Sequence, residues 1–351
     1  MTLGRKISIA GRPIGPGHEP YVICELSGNH NGSLDRALEL LEAAAATGAD
    51  AIKIQSYTAD TITIDHDGAE FRVEGGLWDG RTLYDLYEEA QTPFEWHEAL
   101  FRRAKELGVT LFSSPFDESA VDLLDQLDAP AFKIASFEAV DLPLVAYCAS
   151  KGKPMIISTG MANLDEIAEV VKTARENGCD ELILLHCVSS YPAPDDQSNV
   201  RTVPDLAERF DVVGGLSDHT FGSAVAVAST ALGGCVIEKH FTLRRADGGP
   251  DSAFSLEPSE FSALVEDCKR AWRALGSVTY DLQGSEKGSI QFRRSLYVVQ
   301  DIAAGEMLTR DNIRSIRPGY GLAPKHLSAV LGRKAKRDLK RGEPLDWPLI
   351  G

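Results

Sequence analysis

The first 241 residues alternate between two hydrophobic patterns. Eight short, unbroken apolar runs each end in a polar or charged residue: 21–25 (YVICE), 51–55 (AIKIQ), 110–115 (TLFSSP), 131–136 (AFKIAS), 154–159 (PMIIST), 182–187 (LILLHC), 212–218 (VVGGLSD) and 235–240 (CVIEKH). Runs this short, with no polar face, suit strands buried on both sides, as in an all-parallel sheet. Most intervals between them carry helical periodicity, such as 34–47 (LDRALELLEAAAAT) and 164–177 (LDEIAEVVKTAREN). Eight β-then-α units within about 250 residues predict an α/β fold of the (β/α)8 TIM-barrel type, whose chemistry sits where the strands end.

Two stretches depart from this rhythm. The interval after the second run is nearly twice the others, and the excess covers 58–95, including GGLWDGRTLYDLYEEAQTPFEW. A long insertion at the C-terminal end of a barrel strand builds a lid or substrate wall. Its aromatics, Phe71, Trp78, Tyr84 and Tyr87, either line that wall or supply the packing that keeps the excursion folded. After the eighth run, 258–275 reads as a helix opened by proline, and 276–287 is rich in Gly, Ser and Gln. From about Arg293 the pattern changes to short β runs with turns. The chain therefore divides into a barrel over 1–280, a linker over 281–292 and a small β-rich domain over 293–351.

A length of 351 residues, 43% of them hydrophobic and 25% charged, leaves room for a barrel core plus one extra domain in a soluble chain. No apolar stretch approaches the roughly 20 residues that cross a bilayer, and the start MTLGRKISIAG lacks a signal-peptide apolar region. No membrane partner is expected, and the expected location is cytoplasmic. The six cysteines, Cys24, Cys148, Cys179, Cys187, Cys235 and Cys268, have no C-x-x-C spacing and read as buried thiols in a reducing compartment. Residues 287–351 hold 13 Lys+Arg against 6 Asp+Glu, so a net charge of −16 splits into +7 there and −23 elsewhere. These basic residues are interleaved with apolar ones and turns. A small basic domain docking on an acidic one is therefore expected, with no nucleic-acid partner.

The run ends supply an inventory of chemistry: Glu25; Lys53 and Gln55; Ser113 and Ser114; Lys133 and Ser136; Ser158 and Thr159; His186 and Ser189; Ser217, Asp218 and His219; Glu238, Lys239 and His240. Alternation puts Lys53 with Gln55 on one face, and Glu238 with His240. A lysine inside a barrel must be paired, so Lys53 and Lys133 need anions. Two lysines and several hydroxyls at one mouth suit a phosphate or carboxylate ligand. Each residue also has a plainer reading. A lone lysine can pair with a neighbouring glutamate, and Ser158-Thr159-Gly160 or Asp218-His219-Thr220 can simply cap the next helix. His219 and His240 end adjacent strands and can reach one metal ion, but they lack H-x-H or H-E-x-x-H spacing.

Longer motifs extend the argument. ELSGNHNGSLDRA, GADAIKIQSY, SSPFDESAVDLL, KIASFEAVDLPL, GKPMIISTGMA, GLSDHT and EKHFTL together resemble the nonulosonic (sialic) acid synthases. RRSLYVVQDIAAGEMLTRDNIRSIRPGYGL resembles that family's antifreeze-like (SAF) domain. The resemblance covers essentially the whole chain. ELSGNH after the first strand, Ser189 in CVSSYPA, the insertion, and the loop ADGGPDSAFSLEP look most like the family's pseudaminic branch, with N-acetylneuraminate and legionaminate synthesis as the alternatives.

The resemblance implies a condensation of phosphoenolpyruvate with an open-chain amino sugar, here a diacetamido-trideoxy hexose, consuming water and releasing phosphate. It implies that His219 and His240 hold a divalent ion, Mn2+ or Mg2+. It places Lys53, Lys133, Ser136, Ser158, Ser189 and Ser217 around phosphoenolpyruvate, and makes Glu25 the general acid/base. Gln55, Tyr191 and Asp251 are then expected to face the sugar. Arg317 is expected to reach across from a partner subunit in a domain-swapped homodimer. One rival reading is a Schiff-base aldolase with Lys53 or Lys133 as nucleophile. Another makes the C-terminal module a binder of ice or nucleic acid on a scaffold barrel, although a scaffold has no use for buried lysines.

Overall fold

Eight parallel strands close into a barrel in the computed structural model, which describes residues 5–351. They follow a hairpin of β1 (Ile7–Ile9) and β2 (Arg12–Ile14). The staves are β3 (Tyr21–Glu25), β4 (Ala51–Ser56), β5 (Thr110–Pro115), β6 (Phe132–Ile134), β7 (Met155–Ser158), β8 (Leu182–Cys187), β9 (Val213–Asp218) and β10 (Val236–His240). Each pairs with the next in sequence, and β10 closes on β3 with His240 opposite Glu25. The expected run at 131–136 yields only three strand residues. Ala135 and Ser136 leave the sheet for a turn in which Glu138 N–H donates to the Ala135 carbonyl.

The helices between the staves start where local chemistry starts them. Leu34–Ala46 is capped by Ser33, and Leu164–Glu176 by Asn163 in a capping box with Glu166. Pro258–Leu275 has proline in its first turn. Their apolar faces cover the outward residues of the staves, among them Val22, Cys24, Ile52, Leu216 and Ile237.

The N-terminal hairpin is an element that the hydrophobic pattern does not announce, because its strands have three residues each. Ala10 and Gly11 both take positive φ (48° and 79°), which suits a tight two-residue hairpin turn. Ile7, Ile9 and Ile14 join one apolar cluster with inward residues from seven of the staves, including Tyr21, Phe112, Ile156, Leu185 and Val236, and with Ala131 just before β6. The hairpin thereby plugs the end of the barrel where the strands begin.

The barrel unit ends at Gly276, and Ser277–Gly351 forms a second unit. In it, β11 (Ser295–Val298) pairs antiparallel with β12 (Ile313–Ile316), and single bridges such as Ile302 with Leu339 extend the pairing. Leu296, Ile302, Leu308, Val330, Leu339 and Leu345 form a separate small core. All six cysteines are buried and unbridged. Among the described residues, no helix is long and apolar enough to cross a membrane.

Gly215 in β9 leaves room for two neighbours inside the barrel. A Cβ there would lie 2.5 Å from the Val236 carbonyl oxygen and 2.7 Å from Leu185 Cδ2. Gly215→Ala is expected to destabilise the barrel by about 1–3 kcal/mol through overpacking, read as a lower urea midpoint.

Candidate active site

Alternation along the staves sorts their side chains into inner and outer sets. The inner set is apolar near the hairpin: Tyr21, Ile23, Ala51, Phe112, Ala131, Ile156, Ile183, Leu185, Val213 and Val236. One step further on, at the same parity, it becomes Glu25, Lys53, Ser114, Lys133, Ser158, Cys187, Ser217 and Glu238, all buried. The change from apolar side chains to polar and charged ones along the staves creates the site.

Charges in this layer meet one another directly. Lys53 Nζ lies 2.8 Å from Glu25 Oε2 and 3.7 Å from Glu238 Oε1, and it donates to Ser114 Oγ at 3.2 Å. Lys133 Nζ lies 3.4 Å from Glu238 Oε1, which also accepts from Ser217 Oγ at 3.2 Å. Gln55 Nε2 donates to Glu25 Oε1 at 2.9 Å. The anions that the lysines need are thus protein carboxylates. Burial raises the Glu25 pKa, and Glu238 adds to the rise while Lys53 opposes it. Glu238 goes the other way: burial works against its charge, but Lys133 and Lys53 outweigh it. Two similar carboxyls in one layer are thereby shifted in opposite directions.

A second group lies between the loops after β6, β7 and β8. Gly160 N–H donates to Ser136 Oγ at 3.1 Å. A Cβ on Gly160 would fall 2.2 Å from Ser189 Oγ and 2.8 Å from Ser136 Oγ, so only glycine allows this approach. Ser158 Oγ and Glu238 Oε2 are buried without a hydrogen-bond partner among the described residues. Ser158 caps no helix, since Asn163 does that work. Hydroxyls and two ammonium groups form a cradle that suits a compact anion.

The histidines form the third group. His219 and His240 have ring centroids 5.4 Å apart and are both buried. His219 Nδ1 donates to the Val188 carbonyl at 3.1 Å, which leaves Nε2 as the free lone pair. His240 Nδ1 is 3.3 Å from Ser27 Oγ and 3.9 Å from Asp251 Oδ2. Burial holds the His240 pKa well below its usual value, with His219 adding to the effect, so the ring is neutral. Burial opposes charge on His219 too, but the neighbouring Cys187 outweighs it and raises its pKa; imidazoles anchored through Nδ1 offer Nε2 to a metal. Among the described residues, no three His, Cys, Asp or Glu side chains are grouped to hold an ion. The donor set fits an ion that takes two protein ligands and leaves its other positions to water or substrate.

Aromatic rings wall this end of the mouth. Tyr191 stacks obliquely on His219 at 4.4 Å, and Phe254 lies 4.9 Å from the His240 ring. Trp78, from the long insertion, tilts over Tyr191 at 5.7 Å and donates its indole N–H to the Pro250 carbonyl at 2.8 Å. The insertion's other aromatics face elsewhere: Phe71 packs on His66, Tyr87 on Tyr57, and Tyr84 donates to Asp60. Both expected roles are therefore present, divided residue by residue.

The barrel unit gathers Glu25, Lys53, Gln55, Lys133, Ser136, Ser158, Ser189, Tyr191, Ser217, His219, His240 and Asp251 at one mouth. His186 of the strand-end inventory faces outward instead, with its Nε2 against the Ser198 carbonyl. Arg317 belongs to the second unit, where it is exposed directly after β12. Four contributors were not assigned from sequence. Glu238 was legible from its parity with His240. Glu138, a partly exposed side chain whose Oε2 is buried without a hydrogen-bond partner and whose pKa burial pushes up to about 7, follows Ser136 by two residues. Gly160 and Trp78 carried no signal that separates them from a turn glycine and a packing aromatic.

Residues 40–280 match the model of the NeuB family, and residues 293–350 match the SAF domain. A pseudaminic acid synthase of Campylobacter jejuni subsp. jejuni serotype O:2 is 45% identical over 325 residues, covering 93% of this chain and 95% of that protein. An N,N'-diacetyllegionaminic acid synthase of Legionella pneumophila is 35% identical, covering 100% of this chain and 99% of that protein. A crystal structure of an N-acetylneuraminic acid (sialic acid) synthetase from Leptospira borgpetersenii, in complex with citrate, superposes with a TM-score of 0.73 at 29% identity, covering 83% of this chain and 96% of that one.

The loop that leads from Glu25 to the first barrel helix carries a pH-dependent anchor. His30 is buried, accepts from Gly32 N–H through Nδ1 at 3.1 Å, and has its pKa lowered by burial to about 4. An unfolded histidine takes its proton near 6.5. Between those values the unfolded chain binds more protons, so stability falls as pH drops from about 6.5 to 4, by at most about 3 kcal/mol. His30→Gln is expected to flatten that part of the stability–pH curve, measured by urea denaturation at stepped pH. An unchanged slope contradicts the assignment.

Proposed function

The chain belongs to the NeuB family and carries a SAF domain, and on that premise we propose that it is a pseudaminic acid synthase. It condenses phosphoenolpyruvate with 2,4-diacetamido-2,4,6-trideoxy-L-altrose and water, giving pseudaminic acid and phosphate. The observation that carries this reading is the 45% identity, over 93% of the chain, to a pseudaminic acid synthase, against 35% to a legionaminic acid synthase.

In the reaction, the methylene carbon of phosphoenolpyruvate bonds to the aldehyde carbon of the open-chain sugar. A water oxygen joins C2, the bond from C2 to the phosphate oxygen breaks, and inorganic phosphate leaves. Lys53, Lys133, Ser136, Ser158, Ser189 and Ser217 bind the phosphate and carboxylate of phosphoenolpyruvate. Glu25 is the general acid/base: burial shifts its pKa upward, and Gln55 and Lys53 fix its two oxygens. Gln55, Tyr191 and Asp251 face the sugar. Trp78 and Phe254 give that end an apolar wall that suits a 6-deoxy sugar, which lacks the C6 hydroxyl. His219 and His240 would hold Mn2+ or Mg2+, which when bound supplies Lewis-acid polarisation of the aldehyde oxygen.

A domain-swapped homodimer completes the reading. Arg317 is exposed in the second unit and has no ion-pair partner among the described residues. The loops after β6, β7 and β9 leave Phe137, Val140, Met161 and Phe221 exposed around the mouth. A planar guanidinium from a partner can hold a sugar hydroxyl or acetamido oxygen through two hydrogen bonds.

The test of function is phosphate release from phosphoenolpyruvate with a panel of sugars. The L-altro diacetamido sugar is expected to be strongly preferred over N-acetylmannosamine and over the 6-deoxy-diacetamido mannose-type sugar. Equal turnover of N-acetylmannosamine would move the chain to the sialic acid branch. Chelation is expected to abolish turnover, with Mn2+ or Mg2+ restoring it in the parent and failing to restore it in His240→Ala. Borohydride added with sugar is expected to leave the protein unlabelled, whereas covalent trapping without metal would support the Schiff-base rival.

The dimer is tested by complementation. Arg317→Ala and Glu25→Ala are each expected to lose most turnover. Mixed under verified subunit exchange, they are expected to regain activity, because one site in each heterodimer carries neither lesion. No recovery means that the arginine does not act in trans.

A further inference from the structure

On the outer face of the barrel, where the staves present mostly apolar side chains to the helices, β9 and β10 present a charged pair. Lys239 Nζ lies 2.7 Å from Asp218 Oδ2, and both side chains are 1% exposed. The two residues face each other in the strand register. Lys239 Nζ also donates to the Thr220 carbonyl at 2.5 Å. The second carboxylate oxygen, Asp218 Oδ1, accepts from Thr220 N–H at 2.9 Å and from Thr220 Oγ1 at 2.7 Å.

The positions of these residues in the chain give the arrangement its meaning. Asp218 and Thr220 flank His219, and Lys239 immediately precedes His240. The two bonds from Lys239 Nζ tie the peptide carrying one histidine to the peptide carrying the other, and the two from Thr220 fix the Asp218 carboxylate that receives the lysine. A buried ion pair is a poor means of gaining stability, because an apolar pair of similar volume serves as well. Its hydrogen bonds are directional, however, and a packed apolar contact is not. β9 also contains Gly214 and Gly215, so it has few side chains of its own to hold its end in place.

We propose that the Asp218–Lys239–Thr220 cluster is a brace on the outer face of the barrel that sets the separation of the His219 and His240 rings on the inner face. Asp218, Lys239 and Thr220 are positioning residues, acting on the bound ion only through the two histidines. The proposal rests on the reading that these histidines hold a divalent ion.

The experiment is Mn2+ titration of the full-length protein, followed by the electron paramagnetic resonance signal of the free ion, with melting temperature measured in parallel. The variants are Asp218→Asn/Lys239→Met, which neutralises both charges at once, Thr220→Val, which removes one hydroxyl, and His240→Ala as a reference. The double variant is expected to melt within a few degrees of the parent and to bind Mn2+ about tenfold more weakly. Thr220→Val is expected to weaken Mn2+ binding about threefold, and it decides the matter alone if the double variant does not fold. Parent-like Mn2+ affinity in the folded brace variants, with His240→Ala defective, overturns the brace and leaves the metal reading standing. No Mn2+ binding by the parent, or parent-like binding by His240→Ala, overturns both.

Discussion

Lys53, Lys133, Glu25 and Glu238 are all stripped of water inside the barrel, and the cost of that is offset only because each faces an opposite charge. The rest of the mouth is arranged around this requirement. The layer below must be apolar and sealed, or water would screen the pairing. The hairpin isoleucines and the ring of inward apolar residues meet that need. Partners for what the quartet does not satisfy come from Ser114 and Ser217 in the same layer and from Gln55 one step above it. An arriving anion finds lysines already desolvated and held, so their affinity owes little to rearrangement.

Around the quartet, the division of labour follows the backbone. Groups that hold charge sit on staves, where the register fixes them. Groups that shape the ligand's less polar end, Trp78, Tyr191, Asp251 and Phe254, sit on loops. Trp78 links two of those loops by donating to the Pro250 carbonyl, so the long insertion and the loop after β10 form one wall. Members of a family can retain the staves and vary the wall, which is consistent with 29–45% identity to relatives named for different sugars.

How much was legible in the sequence depends on how local the signal was. The staves were readable because burial on both faces leaves unbroken apolar runs, and the helices at 34–46 and 164–176 because cap and periodicity agree. The inward set at the strand ends was readable from parity, and parity also pointed to Glu238. The hairpin was not, since three-residue strands carry too little pattern. The Gly160 contact was invisible for another reason: it is made by side chains 24 and 29 residues away, and a glycine shows the chain nothing of what approaches it. Trp78 could be read as lid or packing, and only its partners decide between them.

The hairpin plug has a kinetic consequence. A barrel stoppered at one end has a single doorway, so traffic through it becomes a queue. The staves' groups lie beneath those of the loops, so a ligand held by the loops would lie across the path to the staves. Products must leave in an order that the walls permit. Ile7, Ile9 and Ile14 close the far end, so every ligand shares the mouth as both entrance and exit.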